Sequence, residues 1–244
     1  MSLLKIENVT KKYGDSTVIE DINIHLEKGE LVSLLGVSGA GKTTLFHVIS
    51  GLSAPDGGRV LLEDEDITAK PGRIAYMLQK DLLMQHKKVI DNVSLPLVLK
   101  EMSKADAREK AALFFEEFGL SGYEYSYPSD LSGGMRQRAA LLRTYLASEG
   151  TALLDEPFSA LDTITKSNIH KWYLDVMQHI DLSTLFITHD IDEAILLSDR
   201  IYILSGRPGR ITDEIVIDEP KPRADDFNLT EKFLEYKKLI ISKL

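Results

Sequence analysis

Eight residues, Gly36-Val37-Ser38-Gly39-Ala40-Gly41-Lys42-Thr43, constrain this chain more than any other feature. They follow a short apolar run, Leu31–Leu35, and lead into a helix-like segment from Lys42 to Ile49. The glycines let a backbone wrap around an anion with no Cβ in the way, so that successive N–H groups point inward. The helix that follows brings its positive end to the same spot. A strand, this loop and a helix in that order bind the phosphates of a nucleotide. Gly36, Val37, Ser38, Gly39, Ala40 and Gly41 form the cradle and Lys42 reaches the β- and γ-phosphates. Thr43 offers its hydroxyl to Mg²⁺, and Thr44 donates to the α-phosphate.

A second run, Ala152-Leu153-Leu154-Asp155-Glu156-Pro157, reads as a buried strand ending in two acids. In a parallel sheet the carboxyl ends of the strands face the ligand crevice. Asp155 at that edge can hold Mg²⁺ through water, and Glu156 can act as general base toward an attacking water. Composition narrows the partners. Basic residues number 29 and acidic ones 38, a net charge of −9, which opposes bulk attraction to nucleic acid. The absence of cysteine excludes disulfides, thiolate metal sites and thiol nucleophiles, and fits a reducing compartment. The start, Met1 to Lys12, carries no signal-peptide pattern. No stretch of about 18 apolar residues occurs, so work at a membrane would need another protein to hold the chain there.

Along the chain, Leu3–Val9 and Val18–Leu26 read as strands with a turn over Thr10–Asp15, and Arg59–Leu62 and Arg73–Leu78 are further strand candidates. The middle turns helical. Ser103 to Asp106 reads as a capping box, with Asp106 reaching back, and Ala107, Ala111, Phe114 and Phe118 make one helical face stopped by Gly119. A second helix runs from near Ser132 to about Ala147. Thr184–Ile187 reads as another buried parallel strand, separated from Ala152–Leu154 by a helix around Thr165–His179. Two proline-containing stretches, Gly206–Gly209 and Glu219–Arg223, bracket a last strand pair. Phe233, Tyr236, Ile240 and Leu244 form the apolar side of a terminal helix.

Leu131-Ser132-Gly133-Gly134-Met135-Arg136-Gln137 opens the second of these helices. Ser132 is a good N-cap, and the glycines leave the first backbone N–H groups bare, which makes a second anion site. The residues alone leave open whose phosphate it meets.

Read in order, the chain presents Gly36–Thr43, Gln79 after Arg73–Leu78, and Leu131–Gln137. Then come Leu153–Glu156, Ser159-Ala160-Leu161-Asp162 and Thr188-His189-Asp190. This order and spacing resemble the nucleotide-binding domain of ABC transporters, over nearly the whole chain. The Leu-Ser-Gly-Gly-x-x-Gln signature is the specific part, since many unrelated NTPases share the phosphate loop. The resemblance implies an α/β fold: a P-loop NTPase (RecA-like) core with an N-terminal antiparallel β subdomain and an inserted α-helical subdomain over about 85–150. One ATP-binding domain would span 3–230, with a C-terminal helix over 231–244. ATP and Mg²⁺ would be the ligands.

The same resemblance implies roles. Tyr13 would stack on adenine, Gln79 would touch Mg²⁺ and the attacking water, and His189 would contact the γ-phosphate and Glu156. Two copies would pair head to tail, with Leu131, Ser132, Gly133, Gly134 and Gln137 of one closing over the ATP of the other and Asp162 communicating across the interface. The homodimer would drive a separate transmembrane permease docked on Lys80–Lys88, at the cytoplasmic face of the membrane. An extracytoplasmic solute-binding protein would be an indirect partner. Leu204–Ile211 and Pro220–Arg223 resemble, more narrowly, the nitrate/sulfonate/taurine group of importer ATPases. Lys80–His86 lacks the Pro-Trp often found there in that group, which leaves the permease and cargo open. The competing reading is a soluble ABC-type ATPase acting on nucleic acid or ribosomes. The acidic balance, the single domain and the lack of a long heptad run oppose it.

Overall fold

The computed structural model describes residues 2–159, 161–221, 223–224 and 226–244. Ala160 of the Ser159–Asp162 segment and Pro222 of the Pro220–Arg223 stretch therefore lie outside the described residues.

Alternation of buried and exposed side chains makes the first two strands, β1 (Leu4–Tyr13) and β2 (Ser16–Leu26), an antiparallel pair. The expected turn over Thr10–Asp15 is shorter than that. Pairing continues to Tyr13↔Ser16, because register shifts along the ladder absorb the Lys11–Lys12 stretch. Gly14, at φ 59°, completes the reversal. The next strand, β3 (Leu31–Gly36), is buried along its whole length, as a strand covered on both faces must be. It feeds α1 (Lys42–Ile49). Three more strands follow: β4 (Gly57–Leu62), β5 (Glu65–Asp66) and β6 (Ala75–Met77). A helical block comes next, with α2 (Val89–Val93), α3 (Leu95–Leu99), α4 (Lys104–Ala112) and α5 (Gly133–Ala147). The chain then returns to the sheet through β7 (Thr151–Asp155), α6 (Thr163–His179), β8 (Ser183–Thr188), α7 (Ile191–Leu197), β9 (Arg200–Ser205) and β10 (Arg210–Val216). It closes with α8 (Glu231–Ile241).

Two sheets result. One is antiparallel in the order β2-β1-β4-β5; the other has the order β10-β9-β3-β8-β7-β6 and is parallel except for β10 at its edge. Phe46, Leu45 and Ile49 of α1 fill the space between the sheets with Ile19, Ile22, Ile24 and Leu153. On the other side, Leu154 and Phe186 meet the helical block through Leu142, Phe115 and Phe118. Under α7 and α8, Ile201, Ile203, Phe227, Phe233 and Ile240 make a third cluster.

Four local expectations are corrected. Asp106 takes a hydrogen from the Ser103 hydroxyl at 2.8 Å rather than from the Ser103 backbone N–H, so only the Ser103 half of the capping box forms. The helix after it ends at Ala112, well before Gly119. The chain then winds in turns, which buries Phe115 as well as Phe118 and sets the ring of Phe114 edge-on to Tyr145. Gly206–Gly209 is the turn inside the β9–β10 hairpin rather than its leading boundary, because β9 pairs with β3 and must be reversed before β10 can pair with it. Leu244 lies past the end of α8 and is 40% exposed.

Arg200 ties the two sheets together. It is 7% exposed and its guanidinium bonds Glu30 at 2.5 and 2.9 Å, Glu214 at 2.7 Å and the His25 carbonyl at 2.9 Å. Removing it strands a partly buried carboxylate. Arg200→Ala should lower the free energy of unfolding by about 3 kcal/mol in urea titrations; an unchanged midpoint would contradict this role.

Candidate active site

The strands β3, β8, β7 and β6 run parallel and nearly in register: Leu35 pairs with Thr188, Asp155 with Ile187 and Met77 with Leu154. Their carboxyl ends therefore open on one edge. That edge carries the phosphate loop after β3, the two acids at the end of β7, Gln79 just past β6 and His189 just past β8.

The phosphate loop has the shape that only glycine permits. Gly39 and Gly41 hold φ of 81° and 101°. A Cβ on Gly41 would press on Ile19 Cγ2, and one on Gly36 would drive into the Leu204 carbonyl. Lys42 is 8% exposed, and its ammonium donates to the carbonyls of Gly36 at 2.7 Å and Val37 at 3.1 Å. Burial lowers the pKa of Lys42, opposed by Glu156 and Asp155. Val37, Ser38 and Gly39 stay exposed, while Ala40 is buried beneath the loop. Ser38, Gly39, Gly41, Lys42, Thr43 and Thr44 line one cavity together with Glu156 and Val18.

Asp155 is 7% exposed at the floor of this cleft. Its Oδ2 accepts from Thr43 Oγ1 at 3.4 Å and from the Tyr76 hydroxyl at 3.1 Å. Burial raises its pKa; the Tyr76 and Thr43 bonds work the other way. A hydroxyl beside a carboxylate is the hard-oxygen pair that Mg²⁺ takes from protein while water and phosphate supply the rest. Among the described residues no cage of three or more His, Asp or Glu competes with it. Thr43 and Asp155 thus fit magnesium, which when bound supplies positive charge for the phosphate oxygens.

Glu156 sits at φ 45°, a left-handed bend that a side chain seldom adopts, with its backbone N–H bonded to the Ile187 carbonyl at 3.0 Å. The bend turns its carboxylate away from the strand and into the cleft. Gln79 Nε2 lies 3.1 Å from Oε2, and His189 Nδ1 lies 3.1 Å from Oε1. Each carboxylate oxygen keeps a second lone-pair direction for a water. Tyr13 stands at the end of β1, 52% exposed, with the Lys11 ammonium 5.3 Å from its ring centre. An open aromatic face at that place can take a planar base.

The signature segment stands apart from the phosphate loop, and its Gly133 borders the cavity that holds Gln79, Glu156 and His189. Ser132 caps α5, its hydroxyl accepting from the Met135 N–H at 3.3 Å. Ser132 and Gly134 line a cavity with Arg138, Thr165 and Asn168 that shares no residue with the phosphate-loop cavity. Leu131 and Gln137 do not reach the surface. Both are buried, and Gln137 Nε2 donates to the Pro157 carbonyl, joining α5 to the residue after Glu156. Asp162 caps α6 through the Thr165 N–H at 3.1 Å.

Tyr76 escapes a reading of motifs, and Ser159, which opens the Ser159–Asp162 segment, makes contacts that the motif alone does not assign. Tyr76 orients Asp155, and its own pKa is pushed up by burial, then by the Asp155 charge. Ser159 lies 3.4 Å from Gln79 Nε2 and donates to the Glu156 carbonyl at 3.0 Å. Tyr76 faces the site because β6 pairs with β7 at Tyr76↔Leu153, a register that only pairing the two strands would have revealed.

Comparison with known proteins decides the family: residues 19–159 match the ABC transporter family. The chain belongs to it. Its fold is that of the ABC cassette, and its reaction is the hydrolysis of ATP. It is 44% identical to the formylaminopyrimidine import ATP-binding protein ThiZ of Halalkalibacterium halodurans over 84% of this chain and 81% of that one. It is 36% identical to the aliphatic sulfonates import ATP-binding protein SsuB of Bacillus cereus over 98% of this chain and 95% of that one. A dimeric ATP-binding cassette solved in a post-hydrolysis state with ADP and Pi superposes with a TM-score of 0.74 at 28% identity, over 89% of this chain and all of that one.

In this ABC cassette the Tyr76 bond holds the Asp155 carboxylate in place beside Thr43 and opposes the effect of its burial. Tyr76→Phe should raise the Mg²⁺ concentration for half-maximal ATPase activity by about tenfold, the low end of the scale of one lost bond to a charged group. An unchanged Mg²⁺ titration would remove Tyr76 from the site.

Proposed function

We propose that this chain is the ATP-hydrolysing subunit of an importer for a small solute. Two copies act together beneath a separate permease, and an extracytoplasmic solute-binding protein delivers the cargo. The observation that carries the reading is the clamp on Glu156: Gln79 and His189, from two different strand ends, hold one carboxylate at the mouth of the phosphate loop. In the reaction Glu156 takes the proton of the attacking water, Gln79 and His189 fix its direction, and Lys42 leaves the loop carbonyls for the phosphates. Tyr13 stacks on the adenine. Thr43, Gln79 and, through water, Asp155 hold Mg²⁺.

Separation of the phosphate loop from Ser132–Gly134 within one chain supports a site completed by a second copy. Ser132, Gly133 and Gly134 of that copy close over the triphosphate, and loss of the γ-phosphate reopens the pair. The domain spans 3–230, with the helical block over about 85–150 and the C-terminal helix over 231–244. The permease docks on Lys80–Lys88, where Leu82 is 54% exposed and held at φ 45°. Arg143 of α5 donates to the carbonyls of Asp81 and Leu82, and Arg136 lies 3.4 Å from the Asp81 carboxylate. A push on this loop therefore reaches the signature helix directly. Among the described residues no helix is long and apolar enough to cross a membrane, so attachment at the cytoplasmic face comes from the permease. The ThiZ and SsuB relatives point to small solutes as the class of cargo.

Glu156→Gln should retain ATP binding, lower turnover by at least about a hundredfold and accumulate an ATP-bound pair. Phosphate release near the unmodified rate would end the case for Glu156 as the base. Ser132→Arg should bind ADP as a single chain as well as the unmodified protein does, yet fail to pair when ATP is added, as followed by light scattering. Normal pairing would refute a cross-subunit role for Ser132.

A further inference from the structure

The tip of the β9–β10 hairpin is built into the phosphate loop. Gly209 N–H donates to the Val18 carbonyl at 2.9 Å, and the Glu20 N–H donates to the Gly209 carbonyl at 2.9 Å, so the tip is hydrogen-bonded into β2. A Cβ on Gly209 would drive into the Ala40 carbonyl, so this close approach needs glycine. Pro208 and Gly209 thus hold the tip against the outer wall of the cradle.

Arg207 is carried on this tip. A Cβ placed on Gly39, the second glycine of the cradle, would sit 3.6 Å from Arg207 Nη2. Arg207 is exposed, and among the described residues it makes no hydrogen bond or ion pair. Its neighbours are spoken for: Arg210 bonds Glu20 at 2.7 Å, and Arg200 is taken by Glu30 and Glu214. Among the described residues Lys42 is the only lysine or arginine lining the phosphate-loop cavity, which Glu156 also lines, and Asp155 is bonded to Thr43 beside it. A nucleotide's phosphates bring several negative charges into that setting, and one buried ammonium leaves them under-compensated. A guanidinium at the rim can form two parallel N–H···O bonds to a phosphate, and its fixed charge draws anionic ligands in.

We propose that Arg207 is a second cation for the nucleotide phosphates, presented to the cradle by the hairpin tip. This rests on the phosphate loop being the nucleotide site. The ligand class is a nucleoside di- or triphosphate, and the role is affinity and capture.

The test measures ADP binding to the full chain, Arg207→Ala and Arg207→Lys, using a fluorescent anthraniloyl ADP at low and high KCl. ADP isolates the single-chain site from pairing. Arg207→Ala should raise the dissociation constant about tenfold at low salt, and the gap should narrow at high salt as screening grows. Arg207→Lys, which keeps the charge but not the fork, should lie between the two, and thermal melting without nucleotide should be the same for all three. Equal affinities would overturn the proposal. So would a loss that is the same at both salt concentrations or is not relieved by lysine. ADP affinity that is unchanged while ATP-driven pairing is lost would also overturn it, placing Arg207 at the subunit interface instead. Failure of the unmodified chain to bind ADP would instead strike the nucleotide-site reading itself.

Discussion

Parallel pairing of β3, β8, β7 and β6 is the constraint on which the site depends. The four strands come from segments far apart in the chain, and each ends in a different functional group. Because a parallel ladder sets all its carboxyl ends to one side, the glycine loop, Asp155, Glu156 and the Gln79 and His189 side chains that contact Glu156 meet with no loop longer than a few residues to place them. The strands are buried on both faces, so a slip of one residue would put Asp155 or Gly36 into apolar surroundings. Hydrophobic packing and catalytic geometry are therefore the same structural fact.

What the sheet edge does not supply is the other half of the pocket. Ser132 and Gly134 sit at the start of α5 and line a different cavity, Gly133 between them borders the cavity of Gln79, Glu156 and His189, and Gln137 from the same helix reaches inward to the Pro157 carbonyl. The segment thus has one end available to a second copy and one end fastened to the residue after Glu156. Movement of α5 relative to the sheet must be felt at the bend where Glu156 is held at φ 45°. The loop after Gln79 is tied to the same helix by Arg136 and Arg143, so the proposed permease surface, the signature helix and Glu156 share one chain of contacts.

Much of this was legible in the sequence where the signal is local. The phosphate loop and the run ending in Asp155-Glu156 declare themselves, because the chemistry and the secondary structure occupy the same few residues. The buried strands Leu31–Gly36, Thr151–Asp155 and Ser183–Thr188 are legible for the same reason, as short apolar runs. Legibility failed where a residue's meaning comes from a distant partner. Tyr76 stands 79 positions from Asp155, and nothing beside it in the sequence announces the bond. Gln137 falls in the signature but faces its own subunit. The Gly206–Gly209 stretch reads as a boundary, yet its glycines serve a hairpin reversal and a contact with Ala40, which only β9 lying next to β3 makes possible.

The absence of native cysteine allows the central claim to be tested with two engineered ones. Ser38 on the phosphate loop and Ser132 on the signature line separate cavities of one chain, and the proposed pairing would bring them face to face across two copies. In the double variant Ser38→Cys, Ser132→Cys, a short bismaleimide, which alkylates one thiol at each end, should join two chains into a denaturant-resistant dimer when ATP is present under non-hydrolysing conditions, and should leave single chains in its absence. Cross-linking that ignores ATP, or that stays within one chain, would contradict the account.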